Sequence, residues 1–394
     1  MRPVDYDVVV AGGGPAGAAA AKAAVEGGLK TLLLEKKTMP RFKPCAGLIF
    51  EEAREALELH YPEIPGAVKA EPYHLRKILL YAGNLRVEVE EDGLSVWRDR
   101  FDRWLCECSG AELWDHTALI DFSEWKDGVE VVCRRDGVET RIGARSLIAA
   151  DGGVSAVARR IDPGFIGGAP FICTRHEYHR ADCDLEPGAF HVFMDAAYGV
   201  YPAVYFKDDL MVVDSTVRKG NKIGPTRSAF HSMLARDFGF RSHEEVYTFG
   251  CSAVFTAAIN RFCFGTSRVL VSGEAAGFMN ALGEGISSAL ATGRLAGEAA
   301  AASGGSPPGA IYRASIKGER ERTAREWSLL GLLRGQARPE LREALMKLPL
   351  SAKLRFVRAV LAWQRGGGVA PGPSLDSIEV ALRRLLRGTY DYRS

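Results

Sequence analysis

The stretch Asp7-Val8-Val9-Val10-Ala11-Gly12-Gly13-Gly14-Pro15-Ala16-Gly17 runs from an apolar segment of strand length into a glycine-rich turn and then a helix. Gly12 suits the tight turn, Gly14 lets the backbone approach a pyrophosphate with no Cβ in the way, and Gly17 lets the helix lie close on the sheet. Pro15 and Ala16 begin that helix, whose free N–H groups and dipole face an anion. It continues as Ala18-Ala19-Ala20-Ala21-Lys22-Ala23-Ala24-Val25, small-sided for the same close packing. A second strand, Thr31-Leu32-Leu33-Leu34, ends in Glu35 with Lys36 beside it, near the spacing at which a carboxylate reaches a ribose hydroxyl. With strand, helix, second strand and acid in register, the stretch reads as a dinucleotide cradle and not as a structural turn in an ordinary βαβ unit.

Outward from this stretch, 394 residues allow two or three domains, and a 47% hydrophobic composition supplies sizeable cores. Fifty-one Lys and Arg against 49 Asp and Glu lack the basic excess of a general nucleic-acid binder. The charge is unevenly placed, because from Arg325 to Ser394 thirteen basic residues face six acidic ones. Arg334, Arg338, Arg342, Lys347, Lys353, Arg355 and Arg358 in this segment fit an acidic electron-carrier protein, a lipid surface in peripheral contact, or simply a solvated helical face. Asp5 and Asp7 stand where the apolar core of a signal peptide would lie, and no apolar run reaches transmembrane length. Eight cysteines, at 45, 106, 108, 133, 173, 183, 251 and 263, show no CxxC pair or zinc spacing. They read as reduced thiols of a cytoplasmic protein, with no metal site expected.

Further along, Arg41-Phe42-Lys43-Pro44-Cys45-Ala46-Gly47-Leu48 is an irregular loop that leaves the second strand and is placed to lie along a bound cofactor. Residues 51–60 read as helix, and 86–90 and 94–97 as strands of a separate antiparallel layer. A helix starts near residue 98, with Asp99 or Asp102 as a cap and Arg100 as a candidate cofactor contact. The uniformly apolar Ser146-Leu147-Ile148-Ala149-Ala150 reads as a buried parallel strand and runs into Asp151-Gly152-Gly153. From 163 to 261 short aromatic and β-branched runs predict a β-rich substrate domain inserted into the α/β one. Arg268 to Ser272 is a further buried strand, followed by Gly273-Glu274, then Gly283-Glu284-Gly285-Ile286 at the head of an alanine-rich helix. The expected organisation is a discontinuous nucleotide domain over 1–162 and 262–325, an inserted antiparallel domain over 163–261, and a helical region over 326–394 broken at Gly366-Gly367-Gly368.

Three glycine-marked strand ends exceed what one phosphate group needs, and they suit a long cofactor with an adenosine end, a pyrophosphate and a ring system, which is FAD. The 269–293 segment and Asp151-Gly152 resemble motifs of the para-hydroxybenzoate hydroxylase-like FAD superfamily. That resemblance implies an α/β fold with a Rossmann-like FAD-binding domain, Gly273 and Glu274 on the ribityl chain, and the helix start at Gly283, Gly285 and Ile286 aimed at the flavin. Within the superfamily, Lys43-Pro44-Cys45-Ala46-Gly47 is similar to the Lys-Pro-Cys-Gly-Gly loop of the geranylgeranyl reductase family. Ala197-Tyr198-Gly199-Val200-Tyr201-Pro202 is similar to that family's Gly-Tyr-x-Trp-x-Phe-Pro motif. The departures are Glu274 for the usual Asp, Ala46 for a glycine, and the missing tryptophan. Halogenase relatives are disfavoured by the absent paired-tryptophan motif, and an iron–sulfur relative by the absence of a C-terminal cysteine group.

The resemblance implies saturation of carbon–carbon double bonds in an isoprenoid or other hydrophobic substrate, with NAD(P)H, ferredoxin or flavodoxin as reductant. Such a reaction needs a proton source opposite the hydride, and Cys45, Tyr198 and Tyr201 are the candidates, Cys45 first because a thiol ionises more readily than a phenol. An elongated apolar pocket lined by Phe193, Tyr198, Tyr201 and Tyr205 is expected above the ring. The same scaffold supports aromatic hydroxylation with dioxygen, or a flavin-holding partner of an electron carrier.

Overall fold

The computed structural model describes residues 3–82, 85–280 and 283–333 of the chain. The chain divides into two units, Met1–Ala324 and Arg325–Ser394, and the first contains all the elements below. The basic residues from Arg334 to Arg358 and the glycine break at 366–368 lie outside the described residues.

In chain order, β1 (Tyr6–Ala11) leads through the glycine turn into α1 (Pro15–Glu26) and β2 (Thr31–Leu34). The chain then crosses into a second layer: β3 (Leu48–Ile49), α2 (Glu51–His60), β4 (Lys69–Ala82) and β5 (Leu85–Val96). It returns with α3 (Arg98–Cys108), β6 (Glu112–Trp114), β7 (Thr117–Trp125), β8 (Gly128–Arg135), β9 (Val138–Ala149) and α4 (Ala156–Ile161). The second layer resumes as β10 (Phe171–Asp182), β11 (Ala189–Phe193), β12 (Ala203–Lys207), β13 (Leu210–Arg218), α5 (Ile223–Phe238) and β14 (Arg241–Val254). Finally β15 (Val269–Val271) and α6 (Ile286–Ala302) complete the first layer.

The first sheet has the order β6-β2-β1-β9-β8-β7, with β15 also paired to β9. Its centre is parallel: β1 lies between β2 and β9, with Val9 opposite Leu32 on one side and Leu147 on the other. These strands are buried on both faces, which is why they are continuously apolar. β9 serves two purposes, pairing antiparallel with β8 in its first half and parallel with β1 and β15 in its second. α1 and α6 pack at unusually close range because small residues face one another. A Cβ on Gly293 would overlap the Ala16 carbonyl, and one on Gly297 the Ala20 carbonyl.

The second sheet runs β14-β10-β13-β12-β11-β4-β5-β3, antiparallel except where β11 meets β4. The nucleotide layer therefore gives up more of the chain than the expected boundaries allow, since residues 48–96 contribute three strands to a sheet expected from 163–261 alone. Alternating burial identifies them as strands but says nothing about which sheet they join. The 163–261 segment also contains a sixteen-residue helix, α5, that the β-rich texture conceals. One face of this sheet packs Phe193, Val204, Met211 and Val213 against Phe230, Met233 and Leu234 of α5. The other carries Tyr178, Tyr205, Leu210 and Val212, covered by Phe42, Ala46 and Trp97 from the nucleotide side of the chain. Among the described residues no helix is long and apolar enough to cross a membrane.

Candidate flavin site

The glycine turn is built by exclusion. Gly12 has φ +114, and a Cβ there would run into the Ala150 carbonyl, while a Cβ on Gly17 would overlap the Gly12 carbonyl. Gly14 is different: its backbone is extended, no side chain caps α1, and the nearest atom to a Cβ placed on it would be Arg41 Nη2 at 3.7 Å. The first turn of α1, opened by Pro15 and Ala16, thus presents N–H groups to open space, the setting that a pyrophosphate requires.

Around this turn lies a chain of buried charges. Glu35, at the end of β2, accepts from Gly13 N (3.0 Å) and Lys37 N (3.0 Å). Arg41 reaches Glu35 (3.1 Å), Asp102 (2.9 Å) and the Gly13 carbonyl (3.3 Å). Asp102, fully buried, also receives a two-pronged contact from Arg98 at 2.9 and 3.1 Å. Lys36 is exposed beyond Glu35. Arg100 is exposed as well, donating to Ala67 O and lying over the Trp97 ring, so the inward-facing arginine of this helix is Arg98. Neither Asp99 nor Asp102 caps α3, whose N-cap is Trp97 with no side-chain bond; Asp102 instead sits one turn in, at the spacing that pairs it with Arg98.

Arg98 carries the network to Cys45. The part-buried Cys45 thiol would be pushed up by burial, but Arg98, the Gly47 N–H and Lys43 outweigh this, and its pKa is lowered. The loop is fixed by Gly47, whose φ is +63 and whose carbonyl accepts from Val96 N at 2.9 Å; a Cβ there would overlap the Val96 carbonyl. Nearby, Lys207 is buried, donates to Val96 O at 2.6 Å, and lies over Trp97; burial pulls its pKa down to about 8, against a smaller upward pull from Cys45. Tyr178 and Tyr205 stand in the same electrostatic environment, both raised chiefly by burial.

The other glycine-marked ends converge on this place. The Asp151 carboxylate accepts from Ser155 Oγ (2.5 Å) and Ala156 N (2.8 Å), so it ties the Asp151-Gly152 turn, with Gly152 at φ +88, to the start of α4, whose N-cap is Ser155. Glu274 lies against Gly153; desolvation raises its carboxyl, partly opposed by Lys43 and Arg98. Gly273 N donates to Thr292 Oγ1 at 2.9 Å, tying the turn to α6. At the head of α6, Gly283 has φ +82, Gly285 is the N-cap, Ile286 is buried, and Glu284 accepts from Ser287 N at 2.8 Å. Burial pushes the Glu284 carboxyl up, against the pull of those N–H groups.

The structure does not bring the expected aromatic row together. Phe193 and Tyr198 pack toward Phe230 on the α5 face, whereas Tyr205 lies on the Cys45 face, because adjacent strand positions point to opposite sides. Tyr201 precedes β12 with φ +52 and is 37% exposed. Alternation counted from Tyr201 takes it for part of a strand that begins only at Ala203. The phenols beside Cys45 are Tyr178 and Tyr205 in place of Tyr198 and Tyr201. Sequence patterns do not single out Arg41, Arg98, Tyr178 or Lys207, and they offer Asp102 only as a helix cap. The one local signal for them is the four-residue spacing of Arg98 and Asp102 on the buried side of a helix that also carries Phe101 and Leu105. On the α5 face, Glu177, His179 and His231 bring ligand-type atoms within 4.8 Å of one another, but Glu177 is already held by Arg227 and Arg175, cations that a metal would have to displace.

An anion-ready helix start, an acid at the end of the second strand and two further glycine turns around a buried arginine describe a dinucleotide site, and residues 5–177 match the family described as FAD binding domain. The cofactor is FAD. The fold is that of the para-hydroxybenzoate hydroxylase-like superfamily of FAD-dependent oxidoreductases and monooxygenases. Protein CbrA of Escherichia coli (strain K12) is 27% identical over 298 residues, 72% of this chain and 81% of CbrA. A geranylgeranyl bacteriochlorophyll reductase-like protein from Thermoplasma acidophilum superposes with a TM-score of 0.75 at 19% identity, covering 97% of this chain and 98% of its own. The anhydrotetracycline hydroxylase OxyS from Streptomyces rimosus gives 0.65 at 20% identity, covering 94% of this chain and 78% of its own. The FAD-binding domain thus comes with a fold shared by proteins named as reductases and as hydroxylases.

Proposed function

We propose that this protein is an FAD-dependent reductase that saturates a carbon–carbon double bond of an isoprenoid or comparably hydrophobic substrate. FAD, once bound and reduced by the electron donor, would supply the hydride. Gly14, the α1 N-terminus, Glu35 and Arg41 would hold its nucleotide end, and Glu274 with the α6 N-terminus would serve the other end. A hydride added to an alkene carbon leaves its neighbour needing a proton, and in this reading Cys45 gives it.

The observation that carries this reading is the setting of Cys45. Its loop leaves the end of β2, its proton is loosened by Arg98, and it stands near Tyr178 and next to Ala46, which packs into a largely apolar cluster with Phe42, Trp97 and Phe249. A donor whose pKa approaches the working pH is suited to general-acid catalysis, and an apolar wall suits a hydrocarbon, each buried methylene contributing about 0.8 kcal/mol. The resemblance to the T. acidophilum reductase-like protein supports the same reading. NAD(P)H, ferredoxin or flavodoxin would supply the electrons.

The test is anaerobic turnover of the purified holoprotein with a polyprenyl alkene and each reductant in turn, followed by product mass. A product heavier by two hydrogens, formed without oxygen, supports a reductase. Turnover that requires dioxygen and adds oxygen to a phenol overturns it in favour of the hydroxylase chemistry that OxyS bears in its name.

A further inference from the structure

On the face of the second sheet that carries Tyr205, side chains from three strands form a line. Cys251 Sγ on β14 lies 3.2 Å from His176 Nε2 on β10. His176 Nδ1 in turn lies 2.6 Å from Asp214 Oδ1 on β13. The Tyr205 hydroxyl stands 3.4 Å from the same Nδ1 and 3.5 Å from Asp214. Strand register produces the arrangement: His176 is opposite Asp214 in one ladder, and Cys251 is opposite Thr174, two residues from His176 and on the same face, in the other. His176, Asp214 and Tyr205 are buried, whereas Cys251 is only half-buried, on the edge strand and flanked by the exposed Gly250 and Ser252. None of the three triad residues belongs to the flavin cradle or to the Cys45 loop.

A nucleophile within reach of a base, and a base oriented by a third group, is the arrangement that activates thiols. Asp214 fixes the Nδ1–H of His176 and leaves Nε2 to exchange a proton with Cys251. Burial alone would lower the imidazole pKa, but Asp214 outweighs it and, with Cys251 acting in the same direction, pushes it up to about 10. The titratable groups on this face include His176 and Tyr178 on β10, Tyr205 and the buried Lys207 on β12, Asp214 on β13 and Tyr247 on β14, with Cys45 beside the tyrosines and Lys207. Thr174 and Thr216, bonded to each other at 3.0 Å, are the neutral neighbours.

We propose that Cys251, His176 and Asp214 form a thiolate–imidazolium site at which Cys251 attacks small-molecule disulfides. In that step the Cys251 thiolate forms a bond to one sulfur of the disulfide as the original S–S bond breaks. The leaving thiolate takes the proton from His176 Nε2, so Cys251 is oxidised to a mixed disulfide while one thiol is released, and no other reductant or oxidant takes part. Cys173 faces the other side of the sheet, near Ser252, so the mixed disulfide has no partner on that strand to resolve it.

The experiment follows modification of Cys251 in the full-length holoprotein by iodoacetamide, which does not itself titrate, with the site read by peptide mass spectrometry between about pH 5 and pH 9. An ordinary thiol, of pKa about 8.5, slows roughly tenfold for each pH unit below that value. Cys251 is expected to keep most of its plateau rate at about pH 6.5, and to form a mixed disulfide with hydroxyethyl disulfide at the same pH. His176→Asn should return its profile to that of an ordinary thiol while the flavin spectrum is unchanged. A wild-type profile that inflects near 8.5, or a folded protein in which Cys251 is not labelled, overturns the proposal. So does a His176→Asn profile that does not move. The wild-type profile decides alone if the variant does not fold.

Discussion

The two sheets of this molecule carry chemistry in different ways. In the parallel sheet the candidate site is built on backbone: glycines at 12 and 17 shape a turn, Gly14 leaves it open, and the N–H groups of the first turn of α1 face open space in front of the Glu35–Arg41–Asp102 charges. In the antiparallel sheet it is made of side chains meeting across strands, as with His176, Asp214 and Cys251, or Lys207 and the Val96 carbonyl. The first kind tolerates change wherever space is open and fails where backbone meets backbone. The second depends on burial, because charges taken out of water keep their stability only while their partners remain.

The largest expected effect on cofactor binding separates binding from folding inside the parallel sheet. Gly14→Val puts a branched side chain into open space at an extended residue, so the fold should survive while FAD affinity falls at least about a hundredfold, roughly 2.7 kcal/mol. Flavin titration and thermal unfolding of the apoprotein check this; unchanged FAD affinity would break the contrast. Next comes Arg98→Met, which leaves the buried Asp102 with Arg41 alone and should lower stability by about 3–5 kcal/mol in urea unfolding. A loss below about 1 kcal/mol would mean the network is better hydrated than its burial indicates.

Two tyrosines sharpen the comparison further. Tyr205→Ala, in the buried cluster, should cost about 3 kcal/mol, whereas Tyr201→Ala, at the exposed entry to the strand, should stay within about 0.5 kcal/mol. Equal effects would put both residues in one environment. A smaller effect concerns pH. The His176 pKa is raised in the folded protein, so its contribution is full below the unfolded value of about 6.5 and is lost as pH rises through about 10. Stability measured from pH 7 to 10 should therefore fall more steeply in the wild type than in Asp214→Asn, and parallel slopes would count against the ion pair.

The same contrast explains what the sequence could show. The nucleotide layer is legible because its signals are local: an apolar run, glycines at fixed offsets, an acid at the end of the next strand. Cys45 and Glu274 stand out through short motifs for the same reason. Arg98 and Asp102 lie about one helical turn apart, yet Asp102 reads as a cap and Arg98 goes unread, because two charges on the buried side only make sense once Arg41 and Cys45 meet them. His176, Asp214 and Cys251 are separated by 38 and 37 residues and become neighbours only through two strand registers. The division of strands between the sheets is hidden likewise, since β3 to β5 alternate as any antiparallel strand does and the strand that joins them to the rest of their sheet lies over a hundred residues away.

The central claim is that the flavin cradle and the proton-donating thiol are separable parts of one site. Single-turnover kinetics of Cys45→Ala test it most directly, with flavin absorbance followed through reduction by the donor and then anaerobic reoxidation by the alkene. FAD binding and the reductive phase should match the wild type, while reoxidation slows by roughly a hundredfold, the usual scale of a lost general acid. Equal reoxidation rates in the two proteins would contradict the claim and return Cys45 to the role of a small residue in a turn.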